Sequence, residues 1–287
     1  MKNGILIIAA ILLIATSTAQ AQMEMEAQQP ELHGSFNVTY LSKYIWRGFD
    51  IYNDKSGVEA SVDLDLFGTG FGLNVIAHRA NSSGFENTER WDYNLYYYNQ
   101  LFGGESYVMN YRLGWVLYNY PDQPVEGSRM APNASLQELH AILSWPEICP
   151  GGIVPTYVLV KMWPSESDSF SGTRSKLAFP PGLAGTASGW AHIFMFDYGF
   201  TVADLIPNVP EQRFNLHTEF VYNDGVGPVG NKVDHEWSNA VIGLSTNIEL
   251  DNNFFLTPAV YHQRSFDKLV NPDQDETWFT LGATYKF

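Results

Sequence analysis

The sequence predicts an all-β protein, a single antiparallel transmembrane β-barrel of about twelve strands with short periplasmic turns and long extracellular loops. After residue 33, about a dozen segments alternate apolar and polar residues with period two, and almost nothing has a helical period. The links between these segments alternate between short and long, and aromatic residues make up 15% of the chain. Together these observations make a membrane barrel the leading prediction.

The N-terminal segment 1–21 is predicted to be a secretory signal peptide. Lys2 precedes an apolar run that is followed by small residues ending in Ala19-Gln20-Ala21, which resembles a cleavage site. The apolar run of about 11 residues is shorter than the ~20 that a membrane-spanning helix needs. Residues 22–33 form an N-terminal periplasmic segment, either as a tail or as a partial plug, and residues 34–287 form the barrel.

The charge of the chain excludes one class of partner. The formal net charge is −15, and loss of Lys2 with the signal peptide moves it to −16. Nucleic-acid binding requires clustered lysine and arginine, so nucleic acid is excluded as a partner. The single cysteine, Cys149, leaves no intramolecular disulfide framework, and the fold must depend on burial and backbone pairing.

Two segments illustrate the alternation. In residues 57–66, Val58, Val62 and Leu64 share one face with other apolar residues, and Glu59, Ser61, Asp63 and Asp65 form the other face. The last segment, 276–287, alternates in the same way. A soluble sandwich would bury the apolar faces inside, and a membrane barrel would turn them outward to lipid.

The spacing of the segments favours the barrel over the sandwich. Four links are short, near 68–70, 101–105, 146–152 and 248–252, and most of the others are longer and polar. The link 199–211 is an exception, because it is long on the short side. Short turns at one end and long loops at the other are typical of bacterial outer-membrane barrels. The predicted strands are 34–47, 57–67, 71–79, 90–100, 106–120, 135–145, 153–163, 189–198, 212–223, 237–247, 253–264 and 276–287.

The C-terminal strand carries a resemblance. It ends in Phe287 with apolar residues at every second position before it, and so resembles the C-terminal signature by which outer-membrane barrels are recognised for assembly. The resemblance implies the barrel-assembly machinery and outer-membrane lipid as partners. It also implies export through the periplasm to the outer membrane of a Gram-negative bacterium.

The stretch "FNVTYLSKYIWRGFD" at 36–50 carries a second resemblance. It is similar to the "SDYxFRG" first-strand region of Gcw-chp, a family of uncharacterised bacterial outer-membrane barrels. Ser42, Tyr44, Arg47 and Gly48 match in spacing, and positions 43 and 46 depart from the pattern. The resemblance implies a fold and no established activity.

Alternate residues of the predicted strand 34–47 face opposite sides, and the odd-numbered ones face inward. This places both Lys43 and Arg47 inside the predicted barrel, although Leu41 and Ile45 share that inner face. If Arg47 lies opposite Glu59, antiparallel pairing places Lys43 opposite Asp63. Such pairs contribute roughly 0.2–1 kcal/mol each when hydrated. A structural salt-bridge ladder is favoured here, and a ligand site is the alternative.

The predicted lumen mixes acids and bases. Besides Lys43, Arg47, Glu59 and Asp63, its lining candidates are Asp65, Asp92, Arg112, Glu138, His140, Lys161, Arg213, His217 and Glu219. Anionic solutes would need a basic track, so the lining predicts a passive channel for small neutral or cationic solutes. The alternative is a non-conducting structural or surface-recognition barrel.

No catalytic site, cofactor or specific metal site is predicted. His140 and Ser144 share a strand face, but four residues of strand separate them by ~13 Å, too far for a nucleophile and its base. Pairs such as His217 with Glu219 lack a third or fourth metal ligand. The long loop 164–188 is expected either to constrict the barrel mouth or to lie outside it.

Overall fold

A computed structural model describes residues 31–122, 135–165, 189–206, 209–225, 235–268, 270–271 and 274–287. These residues form fifteen strands and one 3₁₀ helix, Glu86–Thr88. The strands are β1 His33–Leu41, β2 Ile45–Trp46, β3 Phe49–Asp50, β4 Gly57–Asp65, β5 Phe71–Ala80, β6 Arg90–Leu101, β7 Met109–Asn119, β8 Leu136–Ser144, β9 Ile153–Pro164, β10 Gly189–Ile206, β11 Val209–Asp224, β12 Glu236–Thr246, β13 Ile248–Asp251, β14 Phe254–Ser265 and β15 Glu276–Lys286.

Twelve of these strands close into an antiparallel barrel. From β4 to β12 each strand pairs with the next along the chain, β12 pairs with β14, and β14 pairs with β15. The ring closes where β1 pairs with both β15 and β4. The short β13 adds to β14, and β2 and β3 form a separate two-stranded ladder. The prediction of an all-β, twelve-stranded antiparallel barrel is confirmed.

The barrel is apolar outside and mixed inside, where polar side chains share the lumen with a buried apolar cluster that includes Leu136, Val160 and Met162. In β1, Phe36 and Val38 face outward with about half of their surface exposed, at 51% and 52%. Asn37 and Thr39 face inward and are hydrogen-bonded to each other. The same alternation runs through the other barrel strands, where the inward-facing Asp92 and Glu138 are buried. Every second side chain therefore faces the lumen, because successive Cβ atoms in a strand point to opposite faces.

The two ends of the barrel differ. The turn end carries the connections 66–70, 102–108, 145–152 and 247–253. Both termini of the barrel also lie there, since Gly34 and Phe287 exchange backbone hydrogen bonds of 2.9 and 3.0 Å. The opposite end, here called the mouth end, carries the connection 42–56 between β1 and β4.

Two predicted boundaries are wrong. The predicted first strand runs from 34 to 47, but β1 ends at Leu41 and the chain turns away from the wall. The predicted link 199–211 is mostly strand, because β10 extends to Ile206 and β11 begins at Val209. Thr201 pairs with Arg213 and Ala203 with Glu211, so the hairpin continues well beyond the predicted strand end at 198.

Some predictions fall largely on residues outside the described ranges. These are the signal peptide 1–21, most of the periplasmic segment 22–33, and residues 166–188 of the long loop. None of the helical segments in the described part of the chain has the length and hydropathy that crossing a membrane would require.

Candidate functional site

Residues 42–56, here called the mouth loop, fold from the wall into the lumen. β2 and β3 pair within this loop, Ile45 with Asp50 and Trp46 with Phe49. The two residues between them, Arg47 and Gly48, have positive φ angles of 50° and 92°. A two-residue turn with positive φ at both positions is the preferred link of a tight β-hairpin. The loop is therefore a small hairpin with its tip at Arg47 and Gly48.

The tip of the hairpin contacts two further wall strands, β14 and β12. Gln263 of β14 donates a hydrogen bond of 2.8 Å to the carbonyl oxygen of Gly48. A Cβ atom at Gly48 would lie 2.6 Å from Val270 and 2.7 Å from Oδ1 of Asn239 on β12. Such distances are closer than van der Waals contact, so only glycine fits at this position.

Arg47 forms an ion pair with the barrel wall. Its Nη2 atom lies 2.5 Å from the Glu138 carboxylate of β8, and the Glu138 side chain is 3% exposed. The same carboxylate accepts a hydrogen bond of 2.8 Å from the Tyr118 hydroxyl and lies 3.2 Å from Nδ1 of His140. Burying a carboxylate is costly unless its oxygens are paired, and these three partners fulfil that condition.

Arg90 of β6 connects the loop to the wall through rings. Its Cζ atom lies 4.8 Å from the centre of the Trp46 ring and 4.7 Å from that of Tyr118. Its guanidinium donates to the hydroxyl of Tyr44 at 2.7 Å and to both oxygens of Asp92 at 2.7 and 2.9 Å. Arg90 thus contacts two aromatic residues of the loop while its charge is balanced by the wall.

His78 extends this network along β5. Its Nε2 atom lies 2.9 Å from Asp92, and its Nδ1 atom lies 3.4 Å from Glu59 of β4. The Tyr44 ring stacks on the imidazole at 4.8 Å between centroids. Glu59 therefore faces His78 and not Arg47, its predicted partner.

Lys43 forms the other ion pair of the loop. Its ammonium contacts Asp54 within the loop and lies 2.6 Å from Glu276 of β15, which is 3% exposed. The hydrogen bonds to Asp54 and then Glu276 raise the pKa of Lys43 above its ordinary value. Asp50, Asp54 and Glu276 form a carboxylate cluster whose oxygens lie within 4.8 Å of one another. The Lys43 ammonium supplies positive charge to that cluster.

Burial within the mouth loop raises the pKa of two further loop residues, Asp50 and Tyr52. Burial, the largest cause, raises the pKa of the Asp50 carboxyl, while backbone N–H groups of Asp54 and Tyr52 lower it less. Burial also raises the pKa of Tyr52, a fully buried side chain. The Tyr52 side chain is therefore enclosed by the loop and the wall, whereas Asp54 at the outer side of the loop stays exposed.

Towards the turn end the lumen carries a second set of polar side chains. The Tyr96 hydroxyl donates to Asp63 at 2.7 Å, and the Tyr98 hydroxyl donates to Asp65 at 3.1 Å. The Arg112 guanidinium lies 3.6 Å above the centre of the Tyr96 ring. A tyrosine hydroxyl is a neutral donor, so it satisfies a carboxylate oxygen without adding a positive charge.

The far wall has a similar arrangement on β10 and β11. Asp197 accepts a hydrogen bond from Asn215 at 3.0 Å and lies 2.9 Å from Nδ1 of His217. Glu219 lies 4.0 Å from Nε2 of the same imidazole. Arg213 also faces inward here, against Gly199, where a Cβ atom would lie 2.8 Å from Nη2.

The predicted site residues are distributed between the strands and the mouth loop. Eleven of them lie inside the barrel. Lys43 and Arg47 reach the interior on the mouth loop. The other nine stand at inward-facing strand positions: Glu59, Asp63, Asp65, Asp92, Arg112, Glu138, His140, His217 and Glu219. Arg213 joins them near the turn end. Whether these side chains serve a passing solute stays a prediction.

Two expectations about the site are wrong. Lys161 faces outward, because it pairs with Leu139 and Trp190, whose side chains are exposed on the outer surface. The expected ladder of Arg47 with Glu59 and Lys43 with Asp63 does not form. Thr39 takes the place opposite Glu59 and Ser35 the place opposite Asp63, because β1 ends before either cation is reached.

Sequence reasoning missed four wall residues that hold the loop, and it misplaced the loop residue Trp46. The four are Arg90, Tyr118, Gln263 and Glu276. Parity directs Trp46 to lipid, but its ring meets that of Tyr118 inside, at 5.5 Å between centroids. One signal in the sequence indicates this change, since Leu41 and Ile45 share the inner parity of the two loop cations. Apolar residues on the polar face indicate that the alternation ends near residue 41.

Comparisons with known proteins find similarity in structure alone. No family model matches the chain, so the resemblance to the Gcw-chp family has no further support, and no curated protein matches it either. Among solved structures the chain is similar to the KdgM porin, with 12% identity, a TM-score of 0.47, and coverage of 88% of this chain and 99% of that one. The NanC porin matches with 10% identity, a TM-score of 0.47, and coverage of 88% and 100%. An outer membrane channel from Pseudomonas putida F1 matches with 11% identity, a TM-score of 0.46, and coverage of 92% and 100%.

Proposed function

We propose that this chain is a bacterial outer-membrane channel for small solutes whose mouth is closed by the inward-folded loop 42–56. The observation that carries the proposal is the inverted distribution of side chains in a closed barrel. Large apolar side chains are exposed on the outer face of eleven of the twelve barrel strands, and most of the charged side chains of these strands face the lumen, beside a buried apolar cluster on β7 to β11. An apolar surface of this extent is stable against lipid, and the polar part of the interior suits water and solutes.

The solute class is inferred from the charges along the lumen. Near the mouth, Lys43 and Arg47 are neutralised by Glu276 and Glu138. Farther in, Asp63 and Asp65 accept hydrogen bonds from tyrosine hydroxyls, and the Arg112 guanidinium lies over one of these rings, so two carboxylates face one cation. We therefore propose neutral or cationic solutes, since an anion passing these carboxylates would be repelled.

The mouth loop supports a gated channel. Its contacts come from Glu138 on β8 and, five or more strands away around the ring, from Gln263 and Glu276 on the adjacent strands β14 and β15, so the loop crosses the lumen. A path for solutes requires the loop to leave this position. We propose that the ion pairs of Lys43 and Arg47 hold the closed state, and that opening breaks both.

The same contacts favour a second candidate, a non-conducting structural or surface-recognition barrel. A loop whose tip is buried against two strands is also what a permanently closed barrel would have. Removal of the loop distinguishes the two candidates, because only a channel would then admit solutes.

The experiment is a liposome-swelling assay with neutral sugars of graded size. It compares the full chain with a variant in which residues 43–55 are replaced by a short Gly/Ser linker. The channel proposal predicts slow swelling for the full chain and fast, size-limited swelling for the variant. If neither protein admits any sugar while both show the heat-modifiable gel band of a folded barrel, the channel is refuted and the non-conducting barrel is favoured.

Two expectations accompany the proposal. We propose that Phe287, whose ring packs on Phe36 at 5.3 Å, is the residue through which the assembly machinery recognises the chain. We also propose that the chain is exported through the periplasm, with the turn end remaining on that side. No catalytic role is proposed.

A further inference from the structure

The outward-facing charges of the barrel have one sign. The chain has 31 acidic and 16 basic residues. Yet among the described outward-facing positions that the barrel ladders pair, the side chains with a formal charge are Arg79, Lys161 and Arg264, all cations. The acidic side chains of the described residues lie mostly inside the barrel and on the connections between strands.

All three cations lie near the mouth end. Arg79 is the second residue from the mouth end of β5, and Arg264 occupies the same position in β14. Lys161 lies three residues before the end of β9, with its Nζ atom 5.0 Å from the centre of the Trp190 ring. In the ring order β5, β9 and β14 are four strands apart from one another, so the cations are spread around the mouth.

Tryptophans occupy the same level. Four outward-facing tryptophans stand at the second position from the mouth end of their strands: Trp91, Trp163, Trp190 and Trp237. Tryptophan concentrates where lipid chains meet headgroups, because its ring is apolar and its N–H is polar. These tryptophans therefore mark the level of the headgroups on a barrel in a membrane, and the three cations lie at that level.

We propose that this mouth rim, composed of Arg79, Lys161, Arg264 and the four tryptophans, binds phosphate groups of lipid headgroups in the surrounding leaflet. The proposal rests on the membrane location proposed above and not on conduction. Arginine and lysine are the side chains that pair with phosphate oxygens, and the described ladders place no acid on an outward-facing position of the rim. Arg79 also contacts Glu89 at 3.0 Å, which leaves Lys161 and Arg264 as the stronger contributors.

The test measures tryptophan quenching by brominated lipids. The full chain is folded into phosphatidylcholine vesicles, and dibrominated phosphatidic acid or dibrominated phosphatidylcholine is added in graded amounts. The wild type should prefer phosphatidic acid, by about fivefold for each contributing cation, and about 1 M salt should weaken the preference. A double variant Lys161→Gln, Arg264→Gln should lose it.

The matched control is Arg213→Gln with Lys286→Gln, which removes two cations at the turn end and should keep the preference. The charge-conserving pair Lys161→Arg, Arg264→Lys should also keep it, which separates lost charge from a misfolded barrel. Equal quenching by both lipids in the wild type, or equal loss in the control, would overturn the proposal. So would concentration-dependent dimers that vanish in the double variant, since the rim would then bind a second copy.

Failure of this proposal is distinguishable from failure of the membrane location. A chain that does not insert into phosphatidylcholine vesicles refutes the membrane location. A chain that inserts and shows its heat-modifiable band, but has no lipid preference, refutes the phosphate-binding rim alone.

Discussion

The guanidinium of Arg47 lies 2.5 Å from the carboxylate of Glu138, and this contact joins a loop that leaves β1 to a wall strand four strands beyond β4. The contact anchors the mouth loop to the wall on the far side from β1. Glu138 also accepts a hydrogen bond from Tyr118, so its carboxylate is bound by the wall as well as by the loop.

The first prediction concerns this ion pair. Arg47→Met leaves Glu138 buried without its cation, and removing one partner of a buried pair costs about 3–5 kcal/mol. The double variant Arg47→Met, Glu138→Met removes both charges and should recover much of that loss. Urea unfolding in detergent measures the free energies. Additive losses in the double variant would show that the two side chains are not coupled.

The second prediction concerns Gly48 at the tip of the loop. Gly48→Ala adds a methyl group that meets Val270 and Asn239, at a φ of 92° that disfavours any other residue. Gly84→Ala is the matched control, because Gly84 has a φ of 93° and open space around it. We expect a loss of about 1 kcal/mol for the control from the backbone alone, and about 1–3 kcal/mol more for Gly48→Ala. Equal losses of unfolding free energy in the two variants would show that the tip of the mouth loop does not pack against β12 and β14.

The third prediction concerns pH. The pKa of Lys43 is raised by its hydrogen bonds to Asp54 and Glu276. A raised lysine pKa gives a stabilisation that is complete below the ordinary value of about 10.4 and is lost as pH rises through the raised value. Bilayer recordings of the wild type at about pH 7.5 and about pH 10 should therefore show the same closed fraction. Marked opening between these two values would mean that the ammonium is not held as the geometry indicates.

The fourth prediction concerns ion selectivity. Asp63→Asn with Asp65→Asn removes two inward-facing charges and keeps acceptors for Tyr96 and Tyr98. In a barrel without the mouth loop, the cation-to-anion permeability ratio should fall by about two- to fivefold, since each screened charge contributes up to about 1 kcal/mol. Reversal potentials in a salt gradient measure the ratio. Glu105→Gln on an exposed turn is the control, and an equal change there would show that the lumen carboxylates do not set the selectivity.

The barrel was predictable from the sequence, and the mouth loop was not. Alternation in stretches such as 57–66 depends on neighbouring residues alone, and it predicts the strand number and the inward position of Asp63 and Glu138. The end of β1 depends on contacts that Arg47 and Gly48 make with residues 91 or more positions away. The alternation of apolar and polar residues carries no information about such distant contacts. It therefore predicts that Lys43 and Arg47 lie on the first strand, although β1 ends at Leu41.

The misplaced Lys161 has a related cause. Its parity within β9 is outward, yet charge facing lipid is costly, and that cost favours an inward prediction for a lysine. The free-energy cost of a lipid-facing lysine becomes smaller near the membrane surface. Lys161 lies three residues before the end of β9 and next to Trp190. The extended hairpin of β10 and β11 was not predicted either, since β10 continues to Ile206 and β11 begins at Val209, within the predicted link 199–211.

The central claim is that the mouth loop gates the channel. Single-channel recording of a variant that lacks the wall carboxylates of both loop ion pairs tests it most directly. The variant Glu138→Gln, Glu276→Gln keeps the loop sequence intact and removes the carboxylates that hold Arg47 and Lys43. We expect rare or small openings in the wild type and frequent, larger, cation-preferring openings in the variant. Identical conductance and open fraction in the two proteins, or silence in both at high protein amounts, would contradict a channel gated by the mouth loop.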